Sequence, residues 1–150
     1  MTAVRLRAFY KDDFEWIMAL ERSAFPLDAY TPAMLRQRID VYREGFRVAV
    51  IGDELVGYIA AWVLNGKARI DSMAVADQHR RCGIGSAMVD FALRHFREQG
   101  FKEVELEVRP ANQNAIELYK KLGFIETGIK PRYYEADGSD ALLMKRSLTI

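Results

Sequence analysis

The residues best suited to chemistry lie at positions 80–86: Arg80, Arg81, Cys82, Gly83, Ile84, Gly85 and Ser86, between a strand-like run and an amphipathic helix. Gly83 and Gly85 carry no Cβ, so the chain can turn tightly there and approach a ligand closely. The first turn of the helix that follows exposes N–H groups without intrahelical acceptors and the positive end of the helix dipole, which suits a phosphate. Arg80 and Arg81 add positive charge beside it. Two common nucleotide loops are excluded. A Walker loop requires Gly-Lys-Ser/Thr, and no lysine follows the first glycine. A dinucleotide fingerprint requires a third glycine, and position 88 is Met. Taken alone, the turn reads equally well as a glycine-rich connection with a solvated arginine pair.

Other reactive side chains are also ambiguous by pattern. Glu103, Glu105 and Glu107 alternate, as the solvated face of a strand would. Tyr119 falls in an apolar stripe with Leu118 and Leu122, the setting of a core tyrosine whose hydroxyl is satisfied elsewhere. Cys82 sits inside the glycine turn, a poor place for an acyl-cysteine intermediate. His79 and His95 have no cysteine partners at metal spacing, so no metal is expected.

The elements that must position these residues follow from periodicity. Residues 4–8 alternate apolar and basic, a first strand. Asp12 with Glu15 predicts a capping-box start for a helix closed by Pro26, and Thr31-Pro32 predicts the start of a second helix reaching about residue 40. Residues 46–51, 55–64 and 68–75 are strand-like and separated by Gly52-Asp53 and Asn65-Gly66, a hairpin signal. Three successive strands imply an antiparallel meander, which a strictly alternating doubly wound fold would not contain. Ile84, Ala87, Met88, Phe91 and Ala92 then form one stripe of a long helix stopping near Gly100. Strands at 103–108, 124–129 and 141–144 enclose a further helix that ends at Gly123. The order β-α-α-β-β-β-α-β-α-β-β predicts an α/β (mixed α+β) sandwich around one mixed sheet.

Composition sets the outer bounds. With 150 residues, 50% hydrophobic and 29% charged, the chain fits one domain spanning 1–150. A net charge of +1 gives no global pull towards nucleic acid or a membrane, so any anion site must be local. The longest apolar run, 55–64, is about half of the roughly 20 residues a membrane span requires. Arg5 and Arg7 followed by an acidic run are unlike a signal peptide, and a single cysteine suits the cytoplasm, the expected location.

These features resemble the GNAT superfamily of acetyl-CoA-dependent N-acetyltransferases. The family's acetyl-CoA loop reads Gln/Arg-x-x-Gly-x-Gly/Ala, as do residues 80–85. Residues 70–75 are similar to the strand before that loop, and Asn112-x-x-Ala115-x-x-Leu118-Tyr119-x-x-x-Gly123-Phe124 matches a second block. Within the superfamily the closest likeness is to ribosomal-protein-alanine (RimI-type) enzymes, through Ala24-Phe25-Pro26, Leu106-Glu107-Val108-Arg109, Tyr133-Tyr134, Asp140-Ala141 and Met144. The chain departs from that pattern at Leu27 (often Trp), at Asp77 and His79 (commonly Pro and an aromatic residue) and at Ser139 (usually Glu).

The resemblance implies a GNAT-like seven-stranded sheet with about four helices, and acetyl-CoA as co-substrate. It implies that Met73, Ala74 and Val75 offer backbone groups to the pantetheine, that Arg80 to Ser86 hold the pyrophosphate, and that Asn112 contacts the pantetheine arm; helix capping is the other reading of Asn112, with Asn114 and Glu117 competing for the cap. It further implies Glu107 as general base, directly or through a water, and Tyr119 as the acid that protonates the departing thiolate. A noncatalytic CoA-binding module would have no use for both. For the acceptor, Phe25, Leu27, Tyr30, Tyr133 and Tyr134 suggest an aromatic groove, or staple and sheet-edge packing. At pH 7 deprotonation costs roughly 1.4 kcal/mol for an α-ammonium and roughly 4.6 for a lysine ammonium. A single carboxylate base therefore favours a protein or peptide N-terminus, a ribosomal protein among the candidates, over a lysine side chain or small amine. A monomer or homodimer is expected.

Overall fold

Alternation and helical periodicity translate into most of the observed elements. The computed structural model describes residues 3–80 and 82–149; Arg81, expected at the phosphate turn, lies outside the described residues. Among the described residues the elements are β1 (Val4–Arg7), α1 (Phe14–Ala24), α2 (Pro32–Val41), β2 (Phe46–Ile51), β3 (Glu54–Leu64), β4 (Lys67–Val75), α3 (Ile84–Glu98), β5 (Glu103–Val108), α4 (Gln113–Lys121), β6 (Ile125–Lys130) and β7 (Ala141–Ser147). Their order is the one expected.

Local capping decides several boundaries. Thr31 Oγ1 accepts from Met34 N at 3.2 Å, and Pro32 opens α2 where its missing N–H costs nothing. The start of α1 differs from expectation. Asp12 and Glu15 are exposed and form no capping box; Asp13 is the buried residue. It accepts from Tyr10 N at 2.7 Å and pairs with Arg7 at 2.8 Å, so an ion pair with β1 displaces the purely local arrangement. At α4 the cap is Asn112, whose Oδ1 accepts from Ala115 N at 3.3 Å, and not Asn114.

The sheet runs β1-β2-β3-β4-β5-β7-β6, antiparallel at every step except β4–β5, which is parallel. That parallel pairing is confined to Ala68 opposite Val104 and Arg69 opposite Glu105. Two residues further on, Ala60 and Ala61 of β3 pair with Ser72 and Ile70, leaving Asp71 as a bulge. A bulge bends its strand and sharpens its twist. Here it accompanies the parting of β4 from β5, and the sheet splits into two halves.

A core lies on each face. Ile84, Met88, Ala92 and Phe96 of α3 pack with Ile116 and Tyr119 of α4 on one side; Phe14, Ile17, Met18, Leu35 and Ile39 of α1 and α2 pack on the other. Val104, Leu106 and Val108 enter the α3/α4 core, so alternation turns Glu103, Glu105 and Glu107 towards the α1/α2 side. The bulge has a parallel effect in β4: it brings Asp71 and Ser72, successive residues, onto the same face as Arg69.

Candidate active site

The split creates an unusual edge in mid-sheet. Ala76 N donates to Val56 O of β3 at 2.8 Å, and the register continues as Val75–Gly57, Ala74–Tyr58 and Met73–Ile59. In an antiparallel ladder successive residues bond alternately to one side and the other. Ala74 therefore directs its N–H and C=O to β3, whereas Met73 and Val75 direct theirs across the gap, where β5 pairs with neither. Of the three residues expected to offer backbone groups, these two are the ones that can.

The glycine turn stands beside that edge. Gly83 has φ +79°, the left-handed conformation that favours glycine, and its carbonyl accepts from Ala87 N at 3.0 Å, the first bond of α3. Buried Ile84 pins the helix start to the core. The first turn carries no acidic side chain and no side-chain cap, so its N–H groups remain available to an anion. Gly85 also packs closely. A Cβ there would lie 3.0 Å from Leu118 Cδ2 and 3.8 Å from Met73 Cε, so it sits where α3, α4 and β4 come together. Ser86 follows within the first turn. Arg80 is exposed, its guanidinium 3.1 Å from Asp77, a surface pair of little strength. Cys82 is exposed, with Sγ 3.6 Å from Arg80 O.

Tyr119 and Glu107 lie on opposite faces of the sheet. Tyr119 packs edge-on against Phe124, and burial pushes its phenol up to about 12, so it is a donor throughout the neutral range. Glu107 is not on a solvated face as its pattern suggested: its side chain is 3% exposed. Arg69 spans Glu105, at 2.8 Å, and Glu107; Lys130 Nζ takes the second oxygen of Glu107. Burial alone would raise the Glu107 pKa, but hydrogen bonds from Arg69 and Lys130 outweigh it and hold the carboxyl below its ordinary value. Only Glu103 fits the solvated reading; it is exposed, 3.6 Å from Lys145. Arg69 was not singled out by the sequence, since a lone arginine in a strand carries no signal of burial. Its Nε has no partner among the described residues.

The expected aromatic groove divides into buried and open parts. Tyr30 is buried, its hydroxyl on Asp71 and its N–H on Glu21 at 2.9 Å, so it supports the site from within the core. Phe25 packs on the same core. Leu27 and Tyr133 are open, 59% and 42% exposed, and Tyr134 packs edge-on against Tyr133 with ring centres 4.9 Å apart. The Tyr133 ring centre lies 5.7 Å from Lys130 Nζ, the cation on Glu107, which sets it on the Glu107 side of the gap.

Two further polar groups support the site in ways the sequence did not assign: Glu21, which no motif named, and Arg109, which the Leu106-Glu107-Val108-Arg109 block carried without a role. Glu21, 2% exposed, accepts from Ser72 Oγ at 3.0 Å, Tyr30 N and Tyr58, and burial raises its pKa despite these bonds. Arg109 joins two loops: it holds both oxygens of Asp28 at 2.6 and 2.9 Å and both of Asp137 at 3.0 and 3.3 Å, and lies over the Tyr134 ring at 4.2 Å. The loops that carry Leu27 and Tyr133 are thereby tied to the end of β5.

Residues 6–124 match the Acetyltransferase (GNAT) family. The chain belongs to that family. It is accordingly an acetyl-CoA-dependent N-acetyltransferase, with the mixed seven-stranded sheet and four helices of the GNAT fold. An N-alpha-acetyltransferase of Sulfurisphaera tokodaii is 36% identical, the match covering 96% of this chain and 93% of that protein. Ard1 from Thermoplasma volcanium superposes with a TM-score of 0.91 at 35% identity, covering 99% of both chains. The ribosomal-protein-S18-alanine N-acetyltransferase from Escherichia coli, at 21% identity and 99% and 96% coverage, shares the fold with a TM-score of 0.79.

Proposed function

We propose that this GNAT enzyme transfers the acetyl group of acetyl-CoA to the N-terminal α-amino group of a protein or peptide. One observation carries the reading: β5 leaves the backbone edge of Met73 and Val75 unpaired beside the start of α3, with Glu107 on one face of the sheet and Tyr119 in the core on the other. The pyrophosphate is assigned to the first turn of α3 with Arg80, and the pantetheine amides to the Met73–Val75 edge, where they act as a short added strand. Asn112 spends its Oδ1 on the α4 cap and keeps its Nδ2 donors for the pantetheine arm. A backbone N–H of the same edge polarises the thioester carbonyl.

The acceptor enters from the Glu107 face, past Leu27 and Tyr133. The amine attacks the carbonyl carbon, the C–S bond breaks, and the CoA thiolate departs towards Tyr119. A thiolate whose thiol titrates at about 8.5 is a much weaker base than a phenolate whose phenol titrates at about 12, so complete proton transfer from Tyr119 is uphill by roughly 5 kcal/mol. Tyr119 therefore acts chiefly by donating a hydrogen bond to the forming thiolate. Glu107, held anionic, binds the α-ammonium and passes its proton on through water. The N-alpha-acetyltransferase relative supports an α-amine as acceptor.

CoA-thiol release assayed with paired peptides tests the acceptor: one set with a free N-terminus and no lysine, the other with a blocked N-terminus and one lysine. The free N-terminus should react far faster. Faster reaction of the blocked lysine peptides, or of a polyamine, would refute the assignment.

A further inference from the structure

We infer that Lys130 occupies the place of the acceptor's α-ammonium in the free enzyme, and that an acceptor gains Glu107 by displacing it. The inference rests on the proposed role of Glu107. Around that carboxylate three cations face three carboxylates: Arg38 with Asp71, Arg69 with Glu105 and Glu107, and Lys130 with Glu107; at the margin Lys145 bridges Glu103 and Glu105 at 3.6 and 4.0 Å, adding one charge of each sign. The cluster closes at zero charge.

The three cations are not equally held. Arg69 and Arg38 have side chains only 8% and 18% exposed, and each is hydrogen-bonded from β4 or α2 into the sheet face. Lys130 is 41% exposed at the end of the edge strand β6, and among the described residues its ion-pair partner is Glu107. Its ammonium also lies 5.7 Å from the centre of the Tyr133 ring, a second site of cation attraction. Lysine is a compact point charge on a flexible stem, able to swing into water without disturbing the strand.

Lys130 and a peptide N-terminus present the same chemistry: a single positive charge and three N–H donors. Withdrawing Lys130 leaves the cluster one charge negative at a carboxylate buried to 3%, and a buried carboxylate stripped of a partner is strongly disfavoured. One incoming ammonium restores neutrality on the same oxygen, beneath the same ring. A neutral group in that place does not. Lys130 thus tunes both affinity and selection: every acceptor competes with it, and only a monocation competes on equal terms.

The test compares Lys130→Met, which keeps the length of the stem without its charge, with Lys130→Arg, using a free N-terminal peptide at saturating acetyl-CoA. Lys130→Met should lower the acceptor KM about three- to tenfold, the range of a partly exposed ion pair, and leave the acetyl-CoA KM unchanged. Calorimetric titration of the peptide into CoA-loaded enzyme should tighten by the same factor. Lys130→Arg should keep the wild-type acceptor KM or raise it. An acceptor KM that is unchanged or higher in Lys130→Met overturns the inference. Glu107→Gln, measured alongside, separates the two levels. If it turns over at the wild-type rate, the role of Glu107 fails and the displacement with it; if it is inactive and Lys130→Met does not lower KM, the displacement alone is wrong.

Discussion

The two glycines of the phosphate turn look interchangeable in sequence, yet alanine should affect them in opposite ways. Gly83 has φ +79°, and a Cβ there meets nothing within 4 Å. The cost of Gly83→Ala is therefore purely conformational, about 1–2 kcal/mol for a left-handed residue. Restricting the unfolded chain returns about 0.4–1 kcal/mol of that only where the native conformation is compatible, and here it is not. Gly85 has an ordinary helical φ, so alanine gains up to about 1 kcal/mol of helix propensity. Against that stands one 3.0 Å contact, with the far end of the Leu118 side chain, which yields by a few tenths of an ångström. Gly85→Ala should be neutral to slightly stabilising, and the two variants should differ by about 1–2 kcal/mol. At this chain length that is roughly 3–6 °C in Tm. Thermal and urea unfolding measure the gap, and titration with acetyl-CoA reads the consequence. Gly83→Ala should bind on the order of tenfold more weakly, because relieving the strain swings the first-turn N–H groups off the phosphate. Wild-type stability and affinity in Gly83→Ala would refute the left-handed requirement; loss of more than about 3 kcal/mol in Gly85→Ala would refute the packing account.

Further outcomes follow from the site. Tyr119→Phe should lower kcat by about 10- to 100-fold without changing Tm or the acetyl-CoA KM, and removing a phenol near 12 should leave the pH–rate profile unshifted below pH 10. Glu107 has a lowered folded-state pKa, so its ion pairs stabilise the fold above the ordinary carboxylate value near 4.5, and that contribution is lost as pH falls through the folded value. Urea melts from pH 7 to pH 3 should therefore fall less steeply for Glu107→Gln than for wild type; identical slopes would contradict the ion-pair reading. Asp28→Asn, which breaks one half of the Arg109 bridge, should raise the acceptor KM about three- to tenfold while kcat and the acetyl-CoA KM hold. Parallel changes in both KM values would show that the bridge serves the whole fold and not the acceptor loops.

The elements were legible wherever a short-range pattern encodes them. The 0, +3, +4, +7, +8 stripe became α3, Thr31-Pro32 became the start of α2, and alternation at 103–108 became β5 residue for residue. The exception at α1 is instructive, because Asp13 and not Asp12 marks the turn, joining a local bond from Tyr10 N to a buried ion pair with Arg7 on β1. Motif spacing predicted the turn, the helix start and the strand edge for a similar reason: they are contiguous in the chain, and their conformations follow from glycine and hydrogen-bond geometry.

What the glycine turn and the second block determined together was the family; the turn by itself left a phosphate site and a plain connection equally open. Tertiary structure alone decided the rest. The bulge at Asp71 accompanies the opening of the sheet and puts Asp71, Ser72 and Arg69 on one face. Arg69 then buries Glu107 from 38 residues away, and Arg109 reaches Asp28 across 81. Such pairs have no period and no preferred spacing, because opposite charges need only meet in space, and burial sets their strength. Sequence could name the carboxylate at position 107; only the fold could say which ammonium already sits on it.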